Sequence, residues 1–217
     1  MNVTRIVLVL CVAVCVWAVW PRHPRDTHWA TRQFVIGSTL ARLDDAVVVL
    51  GDSIVEASTL PRSICGHPIV NAGIGGTSTE SGLVAMLKQA LGNKRAALVV
   101  VALGTNDAAI PESVERYRSN YRTLLTDLSA LTPRRAILAI PPPEPGLDEA
   151  KKVSITAIDS YNALLPSLAE EARATFIALP AMPAAHTLDG IHLNAAGYAV
   201  WDRAILEGID AALCKAG

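Results

Sequence analysis

Four short polar patches interrupt an apolar chain. They are Gly51-Asp52-Ser53, Asn71-Ala72-Gly73-Ile74-Gly75-Gly76, Gly104-Thr105-Asn106-Asp107 and Asp189-Gly190-Ile191-His192-Leu193-Asn194. Together they hold what nucleophilic acyl transfer requires. A serine hydroxyl is a poor nucleophile at neutral pH and needs a base. His192 suits that role for Ser53, because imidazole ionises near neutral pH. Asp189 lies three residues earlier, about one helical turn, where a carboxylate can receive the Nδ1–H and turn the other ring nitrogen toward Ser53. Developing oxyanion charge needs donors aimed at it, and the candidates are the backbone N–H groups of Ser53 and Gly76 and the side-chain amide of Asn106. Asp52 is read as structural, bonding nearby backbone, with a catalytic carboxylate the lesser alternative. Asp107 is read as a helix cap or a support for the Asn106 loop. Singly, each patch is an ordinary turn, loop or cap. Their order along the chain is what argues for chemistry.

The elements between the patches must bring them together. Short apolar runs at Ala46–Leu50, Pro68–Val70, Ala96–Leu103, Ala136–Ile140 and Ala174–Leu179 read as buried strands. Helical spacing marks Ser81–Leu91, Val114–Leu131, Lys152–Ala172 and Ala195–Leu213 between or after them. Unbroken apolar strands alternating with helices imply a parallel sheet covered on both faces. The first three patches then meet at the C-terminal edge of the sheet, where open α/β sheets bind ligands. The fourth returns there before the last helix. The proline-rich Pro141–Gly146 follows the fourth strand to the same edge and reads as a stiff loop. The tyrosines and Trp201 read as core residues.

With the patches and strands in place, the chain resembles the SGNH/GDSL hydrolases from about residue 46 to 213. Gly51-Asp52-Ser53-Ile54, Asn71–Gly76, Gly104-Thr105-Asn106-Asp107 and Asp189-Gly190-Ile191-His192 look like the four signature blocks of that family, with Ile54 in place of the usual leucine. The resemblance implies a three-layer α/β/α flavodoxin-like sandwich with a five-stranded parallel sheet. It also implies hydrolysis of esters or thioesters without metal or cofactor. Block matching makes Ser53 the nucleophile, Asp189 and His192 its partners, and Gly76 and Asn106 the oxyanion donors. Gly76 is chosen among Gly73, Gly75 and Gly76 as the glycine five positions after Asn71. Two other readings stand beside this one. A catalytically silent module on the same fold would bind glycan or lipid. A metallohydrolase would use His186, Asp189 and His192, although Pro183 and Gly190 favour a loop over the helix that would align them.

Composition bounds the rest. A chain of 217 residues allows one domain with a small appendage. With 51% hydrophobic and 18% charged residues it is not a disordered chain. Nineteen Lys and Arg against 20 Asp and Glu leave a net charge of −1, which argues against a nucleic-acid partner. Four cysteines without a Cys-x-x-Cys pair exclude a zinc module. Cys65 and Cys214 are either paired or two buried thiols. Residues 6–20 carry no polar or charged side chain and would span roughly 22 Å as a helix. They read as a hydrophobic membrane anchor, or as a signal segment cut near Ala18, which makes residues 1–20 an appendage. Residues 21–33 then read as a linker whose arginines meet lipid headgroups, and 34–217 as the catalytic domain. The expected partners are a small-molecule, lipid or glycan ester and a membrane. The expected location of the domain is extracytoplasmic, anchored or secreted.

Overall fold

A computed structural model describes residues 24–109 and 113–214. The apolar stretch at 6–20 lies outside the described residues. Among those described, no helix is long and apolar enough to cross a membrane. By packing, the chain divides into Met1–Thr31 and Arg32–Gly217. The second unit holds all four patches.

Helix α1 (Pro24–Leu40) comes first, followed by strand β1 (Val47–Gly51) and the one-turn helix α2 (Ser53–Glu56). Strands β2 (Ser63–Ile64) and β3 (His67–Gly73), helix α3 (Leu83–Leu91) and strand β4 (Leu98–Ala102) follow. Next are helix α4 (Val114–Leu128), strand β5 (Arg135–Leu138), helix α5 (Ile155–Glu171), strand β6 (Thr175–Ile177) and helix α6 (Ala195–Ile209). The sheet order is β2-β3-β1-β4-β5-β6. All five expected strands are present and run parallel. β1 lies between β3 and β4, in a register that aligns Gly51 with both Gly73 and Ala102. This register sets the ends of three strands, and the first three patches, side by side.

Every residue of β1 is buried, as a central strand covered on both faces requires. Val47 and Val49 point into a core shared with Leu98, Val100, Ala136 and Leu138, closed by Trp201, Ile205 and Ile209 of α6. The alternate residues Val48, Leu50, Val99, Val101 and Ile137 are equally buried, so the opposite face is covered too. There α4 packs against α5, with Tyr117 stacked on Tyr161 and edge-on to Tyr121. These three tyrosines and Trp201 are core residues, as expected. Tyr198 differs: it is half-buried, and its hydroxyl donates to the Ile54 carbonyl at 2.8 Å.

Three expectations are corrected. The sheet is mixed and has six strands, because Ser63–Ile64 pairs antiparallel with β3. A two-residue strand is too short to show periodicity. Its turn, Cys65-Gly66, has positive φ at both positions (50° and 81°), the backbone that a tight hairpin demands. Second, part of the expected linker is helical. Pro24 opens α1, where its missing N–H costs no hydrogen bond, and Ile36 and Leu40 anchor the far end by burial at i, i+4 spacing. Third, Arg32 does not face outward toward lipid. It is docked on Asn71 and Gly73. Cys65 and Cys214 are not buried thiols but a disulfide, with Cα atoms 6.0 Å apart.

Candidate active site

The turn that carries Ser53 is built by Asp52 and the end of β1. Asp52 caps α2, its Oδ1 accepting the Ile54 N–H at 2.9 Å. Ser53 therefore stands at the first position of a helix that leaves a buried strand. Gly51 has no room for a side chain: a Cβ there would lie 2.3 Å from Val55 and 2.5 Å from the Ala102 carbonyl. Strand, turn and helix are pressed together, and the serine is left half-buried at the sheet edge.

Ser53 Oγ lies 3.0 Å from His192 Nε2. On the far side of the ring, His192 Nδ1 lies 2.7 Å from Asp189 Oδ2. The carboxylate accepts Nδ1–H, which leaves Nε2 unprotonated toward the hydroxyl. The other oxygen, Asp189 Oδ1, accepts the backbone N–H groups of Ile191 (3.0 Å) and His192 (2.9 Å). Burial opposes the charge on Asp189, but the His192 N–H, the His192 ring and the Ile191 N–H outweigh it and hold the carboxyl below its ordinary value. The three-residue spacing works here through a loop, not a helical turn. The loop is closed by a bridge between Thr187 and Leu193 and by the Leu188 N–H on the His192 carbonyl at 2.7 Å. Asn194 then caps α6, accepting from Ala196 and Gly197.

The second patch is stitched to the first. The N–H of Ile74 and the hydroxyl of Thr77 both donate to the Gly51 carbonyl, at 3.0 and 3.1 Å. Gly76, with φ +78°, sits exposed in this loop, and open space lies where a side chain would be. The third patch joins the second through Asn106, whose Nδ2 donates to the Thr77 carbonyl at 2.9 Å. An amide nitrogen carries two hydrogens, so one remains for a ligand. Asn106 does not cap α4, which starts later and is capped by Ser113; it precedes a single 3-10 turn at Asp107–Ala109. Asp107 is buried and accepts from the Thr79 N–H and hydroxyl, so it supports the block-two side of the site. Ser53 at the head of α2 and the other four expected site residues on loops thus lie at one sheet edge, on segments joined by direct hydrogen bonds.

The metal-binding reading loses its geometry. His186 directs Nδ1 to the Pro183 carbonyl (2.8 Å) and Nε2 to the Pro142 carbonyl (2.9 Å), away from a shared centre with Asp189 and His192. Among the described residues, the one convergent cluster of possible metal ligands is Cys65, Asp210 and Cys214, two of which form the disulfide.

Residue-type reasoning misses Glu144. Its Oε2 accepts the Thr187 hydroxyl (2.8 Å) and the N–H groups of His186 and Thr187 (3.0 Å each). Its own N–H donates to the Gly190 carbonyl at 2.9 Å. Glu144 therefore grips the chain on both sides of Asp189. The Thr187 hydroxyl and N–H, with the His186 N–H, keep the Glu144 carboxyl below its ordinary value. The one available signal is a lone acid among the prolines of Pro141–Gly146.

A hydroxyl, an imidazole and a carboxylate in series at the C-terminal ends of parallel strands define a class: ester hydrolases of α/β architecture. The comparisons are more specific. The chain belongs to the GDSL-like lipase/acylhydrolase family, whose model matches residues 49–200. Among solved structures it is similar to a GDSL-like lipase from Bacteroides thetaiotaomicron (19% identity, TM-score 0.65, covering 82% of this chain and 97% of that one). It is also similar to a lipase/acylhydrolase from Enterococcus faecalis (20%, 0.63, 76% and 95%). A third is an acetylxylan esterase from Geobacillus stearothermophilus (18%, 0.59, 76% and 94%). At such identities the likeness is one of fold. No curated protein sequence gives a significant match. The protein is an ester hydrolase.

Proposed function

We propose that this enzyme cleaves small acyl esters through a covalent acyl-serine. Ser53 Oγ attacks the ester carbonyl and forms the new C–O bond as His192 Nε2 takes its proton. Asp189 keeps the ring in the required tautomer and stabilises the imidazolium. The tetrahedral oxyanion is received by the N–H groups of Ser53 and Gly76 and by the Asn106 amide. The alkoxide leaves with the proton from His192. Water, deprotonated by the same ring, then attacks the acyl-enzyme and releases the acid. The observation that carries this reading is the continuous series Ser53–His192–Asp189, at 3.0 and 2.7 Å. Aromatic residues are 5% of the chain, which leaves little for a sugar-stacking platform and favours a short acyl group as the recognised part.

The test is turnover of p-nitrophenyl acetate, butyrate and octanoate by the wild type and Ser53→Ala. The expected result is activity that falls with chain length and is abolished in a folded Ser53→Ala. Full activity in that variant would remove Ser53 from the mechanism. A wild type that neither turns over nor labels with a fluorophosphonate would favour the silent binding module.

We further propose that the catalytic domain works outside the cytoplasm, held at a membrane by residues 6–20. Disulfides persist in oxidising compartments, and Cys65–Cys214 fits one. Protease added to spheroplasts should digest the domain; complete protection would refute the location.

A further inference from the structure

We propose that Arg32 and Glu56 form a positioning pair that aims the oxyanion loop. This rests on the assignment of Gly76 and Asn106 above. Arg32 lies on α1, upstream of the residues that the family model matches. Its Nε donates to the Gly73 carbonyl at 2.9 Å. One terminal nitrogen reaches both the Asn71 carbonyl and the Asn71 Oδ1, each at 3.3 Å. The same Nε lies 3.5 Å from Glu56 Oε1, and the two side chains are only 19% and 23% exposed. The second oxygen, Glu56 Oε2, accepts the Gly75 N–H at 2.6 Å.

The arrangement answers a physical need. Gly75 and Gly76 are adjacent glycines, the most permissive backbone pair available. A donor peptide that must point at one spot cannot be fixed by its own torsional preferences there. Glu56 fixes the peptide immediately before it by holding the Gly75 N–H. Arg32 balances the half-buried carboxylate and holds the Asn71 and Gly73 carbonyls on the other side of the loop. Asn71 completes the tie, donating from its amide to the Val55 carbonyl at 2.6 Å. Gly73 itself sits against the nucleophile helix, where a Cβ would lie 2.2 Å from the Glu56 nitrogen. The pair therefore couples α1, the nucleophile turn and the loop of Gly76. Both are positioning residues: neither touches the reacting atoms.

The test uses the full chain with Arg32→Ala, Arg32→Lys, Glu56→Gln and the double variant Arg32→Ala/Glu56→Gln. Four quantities are read: kcat, KM, the inhibition constant of a short alkyl trifluoromethyl ketone, and Tm. The ketone adds to a serine and places an oxyanion in the hole. Each single loss is expected to lower kcat roughly 10–100-fold, less than deleting a donor outright, with KM within about threefold. Ketone affinity should fall in step with kcat/KM. The double variant should be no worse than the worse single, and Arg32→Lys should recover part of the loss. A lowered Tm with unchanged kcat would overturn the proposal, leaving a plain structural brace. So would a fall in kcat without loss of ketone affinity. Ser53→Ala runs alongside. If it is inactive while the Arg32 and Glu56 variants match wild type, only the positioning role fails. If it retains turnover, the catalytic reading fails and takes the proposal with it.

Discussion

Asp52 and Asp189 flank the same serine–histidine pair, yet their surroundings push them in opposite directions. Asp52 is fully enclosed; burial, aided by the charge of Asp107, raises its carboxyl to about 7 against the pull of the Ile54 N–H and His192. Asp189 is more open and receives three N–H donors, which keep it ionised. Asp189 is thus the carboxylate suited to support an imidazolium, and Asp52 the one suited to shape a turn. A stability signature follows. Between the ordinary carboxylate value of 3.8 and about 7, native Asp52 binds more proton than the unfolded chain does. Its contribution to unfolding free energy therefore falls as pH rises through that window. Asp52→Asn keeps an acceptor for the Ile54 N–H and removes the titration. Its stability relative to wild type should rise from pH 4 to 7 and then level, by on the order of 1–4 kcal/mol. Urea unfolding at pH 4, 6 and 8 reads this directly, and a difference independent of pH would contradict it. Asn106→Ala should lower kcat by roughly 10²–10³-fold with little change in KM, as loss of one oxyanion donor does. Steady-state kinetics would show it, and an unchanged kcat would remove Asn106 from the role.

The loop after β3 shows how one element contains glycines of two kinds. Gly73 lies where a side chain would strike the backbone of Glu56 at 2.2 and 2.7 Å. Neither partner can yield without moving the turn that carries Ser53. Gly76 has open space around it and only a left-handed φ to maintain. Gly73→Ala should therefore cost about 2–4 kcal/mol, in the range of severe overpacking, and displace Ser53 enough to abolish turnover. Gly76→Ala should cost about 1 kcal/mol of backbone strain and keep measurable activity, because the N–H is retained. Thermal melts and kcat on the two variants separate these outcomes. Equal losses at both positions would mean that space, not torsion, governs the whole loop. The Asp189–His192 loop is restrained differently, by Glu144 gripping it from Pro141–Gly146.

Across the molecule, one covalent link ties distant parts of the chain. Cys65 lies in the turn that precedes β3, at the sheet edge opposite Ser53, and Cys214 follows α6, 149 residues later. A bridge over so long a loop restricts the unfolded chain strongly. Cys65→Ser/Cys214→Ser should lose about 2–5 kcal/mol of stability while keeping kcat, because the bridge is remote from the catalytic edge. Reductant should destabilise the wild type by a similar amount and leave the variant unmoved. Urea titrations with and without reductant provide the measurement, and a variant as stable as wild type would show the bridge to be dispensable.

Local sequence pattern encodes the alternation of apolar strands and helices, and with it the five parallel strands and the edge at which the polar patches gather. This worked because strands buried on both faces leave long uninterrupted signatures such as Val47–Leu50 and Leu98–Val101. It also singled out the candidate reacting groups, since hydroxyl, imidazole and carboxylate chemistry belongs to residue types that occur at few strand ends here. Contacts between distant residues set the rest. The antiparallel Ser63–Ile64 strand exists because β3 offers it a partner. Helix α1 is held where Ile36 and Leu40 find a core. The direction of Arg32, inward to Asn71 and Gly73 and not outward to lipid, is set by carbonyls some forty residues away. Glu144 at the Asp189–His192 loop and the pairing of Cys65 with Cys214 are of the same kind. Short-range periodicity encodes which face of an element is buried, but it does not encode which distant polar group that element will meet.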